Sequence, residues 1–521
     1  VAYSAPFRAL CAATSGAGLV PRVTVRDKAG AVTVASEIEP VLAVGEIRRE
    51  RERRYGVVQV NTWQVRLANY RQLLLPLDLP DCWVALEAGF PGDDVWELMA
   101  QGRIISAPAS TDMTITIEVG DAVMDTLEHV LTRDMFFGLV GWAGDITPVA
   151  VADSSAEYAN DINQSFGGLG VLVALAYGHL VIDEAISIVF TAATTYKVVY
   201  EDGSEVTGFT IASDANFGPS TSPAAPAFKI KAAGWSPEVG AYVVGDTYVF
   251  YASAARAAGQ LTTVGMVRHL LTDVAQLTAY NVLADEPYSS PLYDEAGAWA
   301  EAAASHASTR LGGYWPKGTR LIEMVQEALM LAHASIYAAP TGQIAISWLR
   351  PAGAQVATIN GDPAAGPVTL IAGSASDTRD ETYNLVTLDY LSLSRGKPAT
   401  AKFADANSPF VGVRHLPLST SWRVGAVTAA DCVYKALSRF SASRRLVSVD
   451  ATLAHAVLDI DEIVAVTDSV IGLRNHLCGV VAVTLSIMDQ RCSVEAYRDE
   501  VAAADYGRVG SSKINRPGFV W

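Results

Sequence analysis

The chain has 521 residues, half of them apolar, with 38 Lys and Arg against 55 Asp and Glu for a formal net charge of −17. That length exceeds one ordinary domain and points to roughly three or four, and the apolar half excludes a chain too polar to build cores. From these totals a basic stripe of the kind that grips nucleic acid is not expected; the acidic balance serves solubility, and it would also suit the lining of a passage through which DNA slides.

Residues 1 to about 60 read as β-rich, with VPRVTVRDKAGAVTVAS forming strand, Asp-Lys-Ala-Gly turn and strand. The run EIRRERERRYG, 46–56, mixes signs densely and reads as a solvated strand or loop edge, or as a source of salt bridges between subunits. VVQVNTWQVRLANY alternates with period 2, CWVALEAGF leads into a Pro-Gly-Asp-Asp turn, and MTITIEVGDAVMDTLEHVL reads as a strand, a Gly120-Asp121 turn and a short amphipathic helix over 121–131. The longest apolar stretch, 167–182, has sixteen residues with four glycines and His179. A bilayer span needs about 20, so a buried segment is expected; a segment that meets a cell envelope is the sharper alternative. No charged start followed by a long apolar run opens the sequence, so no secretory leader is expected there.

TTYKVVYEDGSEVTGFTIA reads as a hairpin around Glu201-Asp202-Gly203, residues 213–226 as a loop, and 227–253 as two or three further strands. Helical spacing covers 262–283 and 317–340. A Pro340-Thr-Gly turn then leads to the strand QIAISWLRP, and TYNLVTLDYLSL is another strand. ADCVYKALSRFSASRRLVSVD reads as helix then strand, IDEIVAVTD and CGVVAVTLSIMDQRCSVEAYRDE as closing strands, and SSKINRPGFVW as an extended arm.

Sites of chemistry are sparse. Cys11, Cys82, Cys432, Cys478 and Cys492 are odd in number and lack Cys-x-x-Cys spacing. Buried free thiols are expected, compatible with assembly in a reducing compartment; a metal cluster would need distant cysteines to converge. His129, His179, His269, His306, His333, His415, His455 and His476 include no His-Glu-x-x-His pair. FGGLG, 166–170, has no following Gly-Lys-Ser/Thr, and no Gly-x-Ser-x-Gly occurs. Asp93/Asp94, Asp183/Glu184 and Asp459/Asp461/Glu462 bring acids together. A glycosidase needs two carboxyls about 5 to 9 Å apart across a cleft, and acids beside turns are the plainer reading. No catalytic, cofactor-binding or metal residue is assigned, no cofactor is expected, and the chain reads as a non-enzyme. The ten tryptophans, Trp63, Trp83, Trp96, Trp142, Trp235, Trp299, Trp315, Trp348, Trp422 and Trp521, read mostly as core, with some as interface anchors.

Three stretches, taken in order, resemble the hub proteins at the end of bacteriophage tails. WELMAQGRIISAP…MTITIEVGDAVMDTLEHVL resembles their strand near Gly-Arg-Ile/Val, second strand and short helix, with Gly102, Arg103 and Ile104 at the first strand. KGTRLIEMVQEALMLAHASIYAAPTGQIAISWL resembles their helix followed by strand, Gly turn and strand, with Gly342 in a turn directly after the helix as read above. In the third, from Ala430 to Glu500, the hub pattern large-Gly-Asp-Val-Val-x-Val-Thr-Asp is met by Asp461-Glu462-Ile463-Val464-Ala465-Val466-Thr467-Asp468, with an acid in place of the usual Gly. The resemblance implies a mainly β, α+β multidomain chain with β-barrel hub domains, around 85–140 and 345–500, and an inserted β domain at 190–255, a candidate docking platform.

The layout expected is 1–145, an N-terminal β-rich region with first barrel elements; 146–260, a mixed segment with the inserted domain; 261–350, a helical and mixed region; 351–500, the C-terminal barrel; and 501–521, an extended arm. The resemblance further implies a homo-oligomer, a trimer forming a pseudo-sixfold ring. Its expected partners are a distal tail or tail tube protein and tail fibre or receptor-binding proteins, with DNA passing through the channel without specific binding. The expected location is the virion tail tip or baseplate, after assembly in the host cytoplasm. The alternatives are a tail-associated peptidoglycan-degrading enzyme and a β-rich adhesin or carbohydrate-binding protein.

Overall fold

The computed structural model describes residues 3–13, 18–26, 32–35, 41–50, 61–68, 79, 82–90, 92–110, 113–121, 123, 129–132, 135–137, 163–165, 169–171, 175–177, 184–200, 203–213, 215–217, 228–230, 236–239, 242–252, 261–348, 355–377, 382–393, 398–405, 412–441 and 445–497. The arm at 501–521, most of the run 46–56 and the expected helix at 121–131 lie wholly or largely outside them.

The N-terminal part contains strands β1 (Val20–Arg26), β2 (Val32–Ala35), β3 (Val41–Val44), β4 (Ile47–Glu50), β5 (Thr62–Ala68), β6 (Trp83–Phe90), β7 (Val95–Ser110) and β8 (Thr114–Gly120). All but β4 form one sheet in the order β2-β1-β6-β7-β8-β5-β3. Period-2 alternation puts Trp63, Val65 and Leu67 of β5 and Ile115, Ile117 and Val119 of β8 on the buried face. The helix Ala5–Ala13 covers that face with Phe7 and Cys11, the Phe7 ring lying 5.9 Å from that of Phe90. Bulges near Ser106 break the β7–β8 register and bend the long strand.

After β9 (Met135–Phe137) comes a block of short strands: β10 (Asn163–Ser165), β11 (Leu169–Val171), β12 (Leu175–Tyr177), β13 (Glu184–Ala192), β14 (Thr195–Tyr200), β15 (Glu205–Thr210), β16 (Ala215–Phe217), β17 (Phe228–Ile230), β18 (Ser236–Val239) and β19 (Thr247–Ala252). They pair as β10-β19-β13-β14-β15, β11-β18 and β12-β17-β16. The apolar stretch 167–182 thus supplies two short strands. The expected hairpin is β14–β15, with Gly203 at φ 83° beside its turn. Phe190 and Tyr242 stack at 4.0 Å in the core of this block, beside Tyr196.

The next region holds β20 (Tyr280–Asn281), β21 (Glu286–Pro287), β22 (Leu311–Trp315), β23 (Ala334–Ala338) and β24 (Ile344–Trp348), with helices Thr263–His269, Ala298–Ser305 and Leu321–Ala332. Two helices are shorter than their apolar spacing suggests. The first is capped by Thr262, whose side chain accepts from Gly265 N; it passes into a π-turn over Leu270–Val274 and ends before Gln276 at φ 49°. The second stops at Ala332 because His333 adopts φ 49°, and residues 334–338 become a strand. Every residue of β23 and β24 is buried, and a fully buried apolar run carries no period that separates helix from strand. Gly342, at φ 74°, turns β23 into β24. The order is therefore helix, strand, Gly turn, strand.

The C-terminal part contains β25 (Gln355–Asn360), β26 (Leu370–Asp377), β27 (Leu385–Ser392), β28 (Pro398–Ala404), β29 (His415–Val424), the helix Ala426–Phe440, β30 (Arg445–Thr452), β31 (Ile463–Asp468), β32 (Leu473–Ser486) and β33 (Arg491–Tyr497). One sheet runs β28-β27-β29-β22-β9, the other β25-β31-β32-β33-β30-β26, with β4 added on β32. The second sheet is rolled. Five strand spacings of about 4.8 Å would part its two edges by about 24 Å if it were flat. Instead Thr369 N, leading into β26, donates to Asn360 O at the end of β25 at 2.8 Å. The chain is thus a strand-rich α+β protein with several sheets, one of them a half-barrel.

Candidate functional site

The acids and histidines singled out above are held by the fold rather than gathered in a cleft. Asp93 is exposed in the turn after β6, and Asp94 beside it takes φ 51°. Asp461 sits at φ 69°, in the left-handed region that Asp is among the few residues to tolerate. Glu462 accepts from Asp459 N at 2.8 Å, and burial raises its pKa. Glu184 opens β13, while Asp183, His179 and residues 166–168 lie outside the described residues.

His269 pairs with Asp273 at 2.6 Å, and His415 bonds to Thr387 at 2.8 Å. His306, His333 and His455 are buried, and burial pushes the pKa of His333 to about 3 and that of His455 to about 4. All five cysteines are buried; burial pushes the thiols of Cys11, Cys432 and Cys492 up to about 12. Among the described residues no group of three or more His, Cys, Asp or Glu is placed to hold a metal ion. Likewise no described helix is long and apolar enough to cross a membrane. Trp63, Trp299, Trp315, Trp348 and Trp422 are core residues; Trp422 donates to Met324 O at 3.1 Å and meets the Trp315 ring at 5.0 Å.

What the fold does build is a set of buried joints between its layers. The first is β4. The chain leaves the N-terminal sheet at Val44, passes Gly45 and Glu46, and pairs residues 47–50 with Leu485 to Ala482 of β32. In sequence the run 46–56 reads as a solvated strand or loop edge, or as a source of salt bridges between subunits. Within it Arg49 is only 5% exposed, reaches Asp459 Oδ1 at 3.5 Å and donates to Leu458 O at 3.2 Å. Its guanidinium also lies 5.9 Å from the Tyr3 ring centroid. Burial would raise the Asp459 pKa; the Arg49 charge leads the influences that more than offset this and hold it below the ordinary carboxylate value. Alternation and charge alone could not single out Arg49, because its burial depends on a strand more than 400 positions away.

The second joint seats the β20–β21 hairpin on the N-terminal sheet. Arg26 donates to the carbonyls of Val282 and Leu283 and lies 3.3 Å from Asp285. Gln101 donates to the Tyr280 and Thr341 carbonyls and accepts from Val282 N at 3.2 Å, while Trp83 stacks on Tyr280 at 5.6 Å. The third joint gathers helix ends. His306 Nδ1 and Nε2 each lie 2.8 Å from a carbonyl, those of Ala302 and Ala332. His333 Nε2 lies 2.8 Å from Cys432 O. Thr309 Oγ1 accepts from Thr263 N at 3.0 Å, and Thr428 Oγ1 accepts from Arg310 N at 3.1 Å.

No family model and no curated protein matches the chain. Solved structures do. The 43 kDa tail protein of prophage MuSo2 from Shewanella oneidensis is 9% identical, with 92% of this chain and 99% of that one covered at a TM-score of 0.42. A tail protein from Neisseria meningitidis MC58 is 10% identical, with 93% and 99% covered at 0.41. The prophage tail protein gp18 from Listeria monocytogenes EGD-e is 6% identical, with 93% and 97% covered at 0.40. These alignments span more than nine-tenths of the chain, at TM-scores of 0.40 to 0.42 and identities of 10% or below.

Proposed function

We propose that the chain is a structural hub subunit of a bacteriophage tail tip or baseplate, acting by assembly and not by catalysis. The observation that carries this reading is β4. The first hub-like stretch supplies β7 and β8 of the N-terminal sheet, and the third supplies β30 to β33 of the half-barrel. β4 fastens the two sheets together through main-chain pairing and the buried Arg49–Asp459 contact. Two β units held as one body suit a ring in which each subunit contributes a pair of barrels. On this reading three copies form a pseudo-sixfold ring around a channel for DNA exit, between the tail tube and the distal or receptor-binding parts, and the block 190–255 faces outward. The acid cluster at 459–462 is engaged by Arg49 and main-chain groups, which speaks against its use in cleaving peptidoglycan.

Mass photometry and electron microscopy of the purified full chain test the reading. Trimeric rings with a central channel are expected, with interfaces of roughly 2,000 Å² or more, as obligate assemblies have. A strict monomer at micromolar concentration, with no ring of this chain in virions, would overturn it.

A further inference from the structure

The polar joint among the helix ends contains a feature that packing alone does not require. His306 is 2% exposed, and both ring nitrogens face carbonyl oxygens at 2.8 Å. One carbonyl, Ala302 O, lies in the last turn of the helix Ala298–Ser305; the other, Ala332 O, ends the helix Leu321–Ala332. We propose that His306 is held as the imidazolium and acts as a proton-dependent clamp between the C-terminal ends of these two helices.

A neutral imidazole has one N–H and one bare nitrogen. It can donate to one carbonyl only, and its lone pair then faces the oxygen lone pairs of the other at hydrogen-bond distance. The imidazolium donates to both. Each acceptor also sits where a helix gathers partial negative charge, a position that favours a cation. Burial, first, and the Lys435 ammonium act against the charge and outweigh the two carbonyls and Asp431, so that these influences by themselves pull the ring below the ordinary histidine value. Lys435 Nζ lies 2.7 Å from Asp431 Oδ2, so the helix Ala426–Phe440 presents a nearly neutral pair to the ring. The neighbouring His333, kept neutral by burial, adds no competing charge near pH 7. Against that pull stands the contact of the neutral ring itself: its bare nitrogen would face a carbonyl oxygen at 2.8 Å, lone pair against lone pair, and only the second proton turns that repulsion into a bond, which tips the balance toward the imidazolium.

The clamp continues through the same residue's main chain. His306 O accepts from Thr309 Oγ1 at 2.6 Å, and Thr309 Oγ1 accepts from Thr263 N, which begins a third helix. Loss of the proton therefore loosens a point where three helices meet. A histidine whose folded pKa is raised contributes stability that is complete below the unfolded value and lost as pH rises through the folded one.

Nitrogen-15 NMR of the histidine-labelled full chain is the test, with His306→Gln used for assignment. Both His306 ring nitrogens are expected to carry protons at neutral pH and to titrate above the free-histidine value of about 6.5. The melting-temperature gap between wild type and His306→Gln is expected to narrow from about pH 6 to about pH 9. A ring with one bare nitrogen at about pH 6, or a gap that stays constant or widens over that range, overturns the proposal. If His306→Gln does not fold, His269→Gln, which removes the imidazole paired with Asp273, keeps the titration readable. A doubly protonated imidazole at neutral pH whose two N–H protons resist solvent exchange, as the burial of His306 at 2% exposure requires, supports the clamp in that variant, and the absence of one overturns it.

Discussion

Replacing Arg49 by Met tests the joint that makes two sheets one body. Arg49 and Asp459 are each 5% exposed, so removing the cation takes the main charge partner from a buried carboxylate that keeps its bond from Ile460 N. Breaking a buried pair in this way costs about 3–5 kcal/mol. The 3.5 Å separation is at the long end for an ion pair, and the bond to Leu458 O is lost as well, so a loss of about 3 kcal/mol is expected. In the double variant Arg49→Met/Asp459→Leu no charge is stranded, and apolar replacement of a buried pair is often neutral. Most of the loss should therefore return, giving a coupling energy of about 2 kcal/mol. Urea unfolding followed by tryptophan fluorescence measures the free energies. Hydrogen exchange at Ala482 to Leu485, the β32 residues paired with β4, reports whether the joint opens locally. A single variant that loses under about 1 kcal/mol, or a double variant no more stable than the single one, would refute the argument.

Further outcomes follow from other buried features. A Cβ at Gly102 would lie 2.2 Å from Gly120 O, so Gly102→Ala should shift the β7–β8 pair and lose about 2 kcal/mol or more by chemical denaturation. Because the folded pKa values of His455, about 4, and His333, about 3, lie below the unfolded one, their contribution to stability is present above the unfolded value and lost as pH falls toward the folded ones. Melting temperature should therefore drop between about pH 6.5 and about pH 4, and His455→Gln should flatten the upper part of that drop. Five buried thiols, three of them pushed up to about 12, should resist a thiol-reactive dye in the native chain and react in full after unfolding. Trp422→Phe removes the donor to Met324 O and reduces contact with Trp315 and Phe137; a loss of about 2 kcal/mol is expected from thermal or urea unfolding.

Local chemistry made much of this chain legible in sequence. Alternation in Trp63, Val65 and Leu67 and in Ile115, Ile117 and Val119 marks strands whose one face is buried, because a pleated strand turns every second side chain to the same side. The helix Ala426–Phe440 and the hairpin β14–β15 were readable for the same reason: their periods and turn residues are properties of neighbours in sequence. The ordered resemblance to tail hubs also lay in such local strings.

Only the tertiary structure decided where the helix beginning at Leu321 ends, since an apolar run buried on all sides suits helix and strand alike until its neighbours are in place. It likewise decided that Arg49, one of several arginines in a mixed-charge run, is the buried one, and that His306 stands between two helix ends. Burial and partnership are long-range properties. They depend on which surface arrives opposite a residue, and β32 reaches β4 from more than 400 positions away.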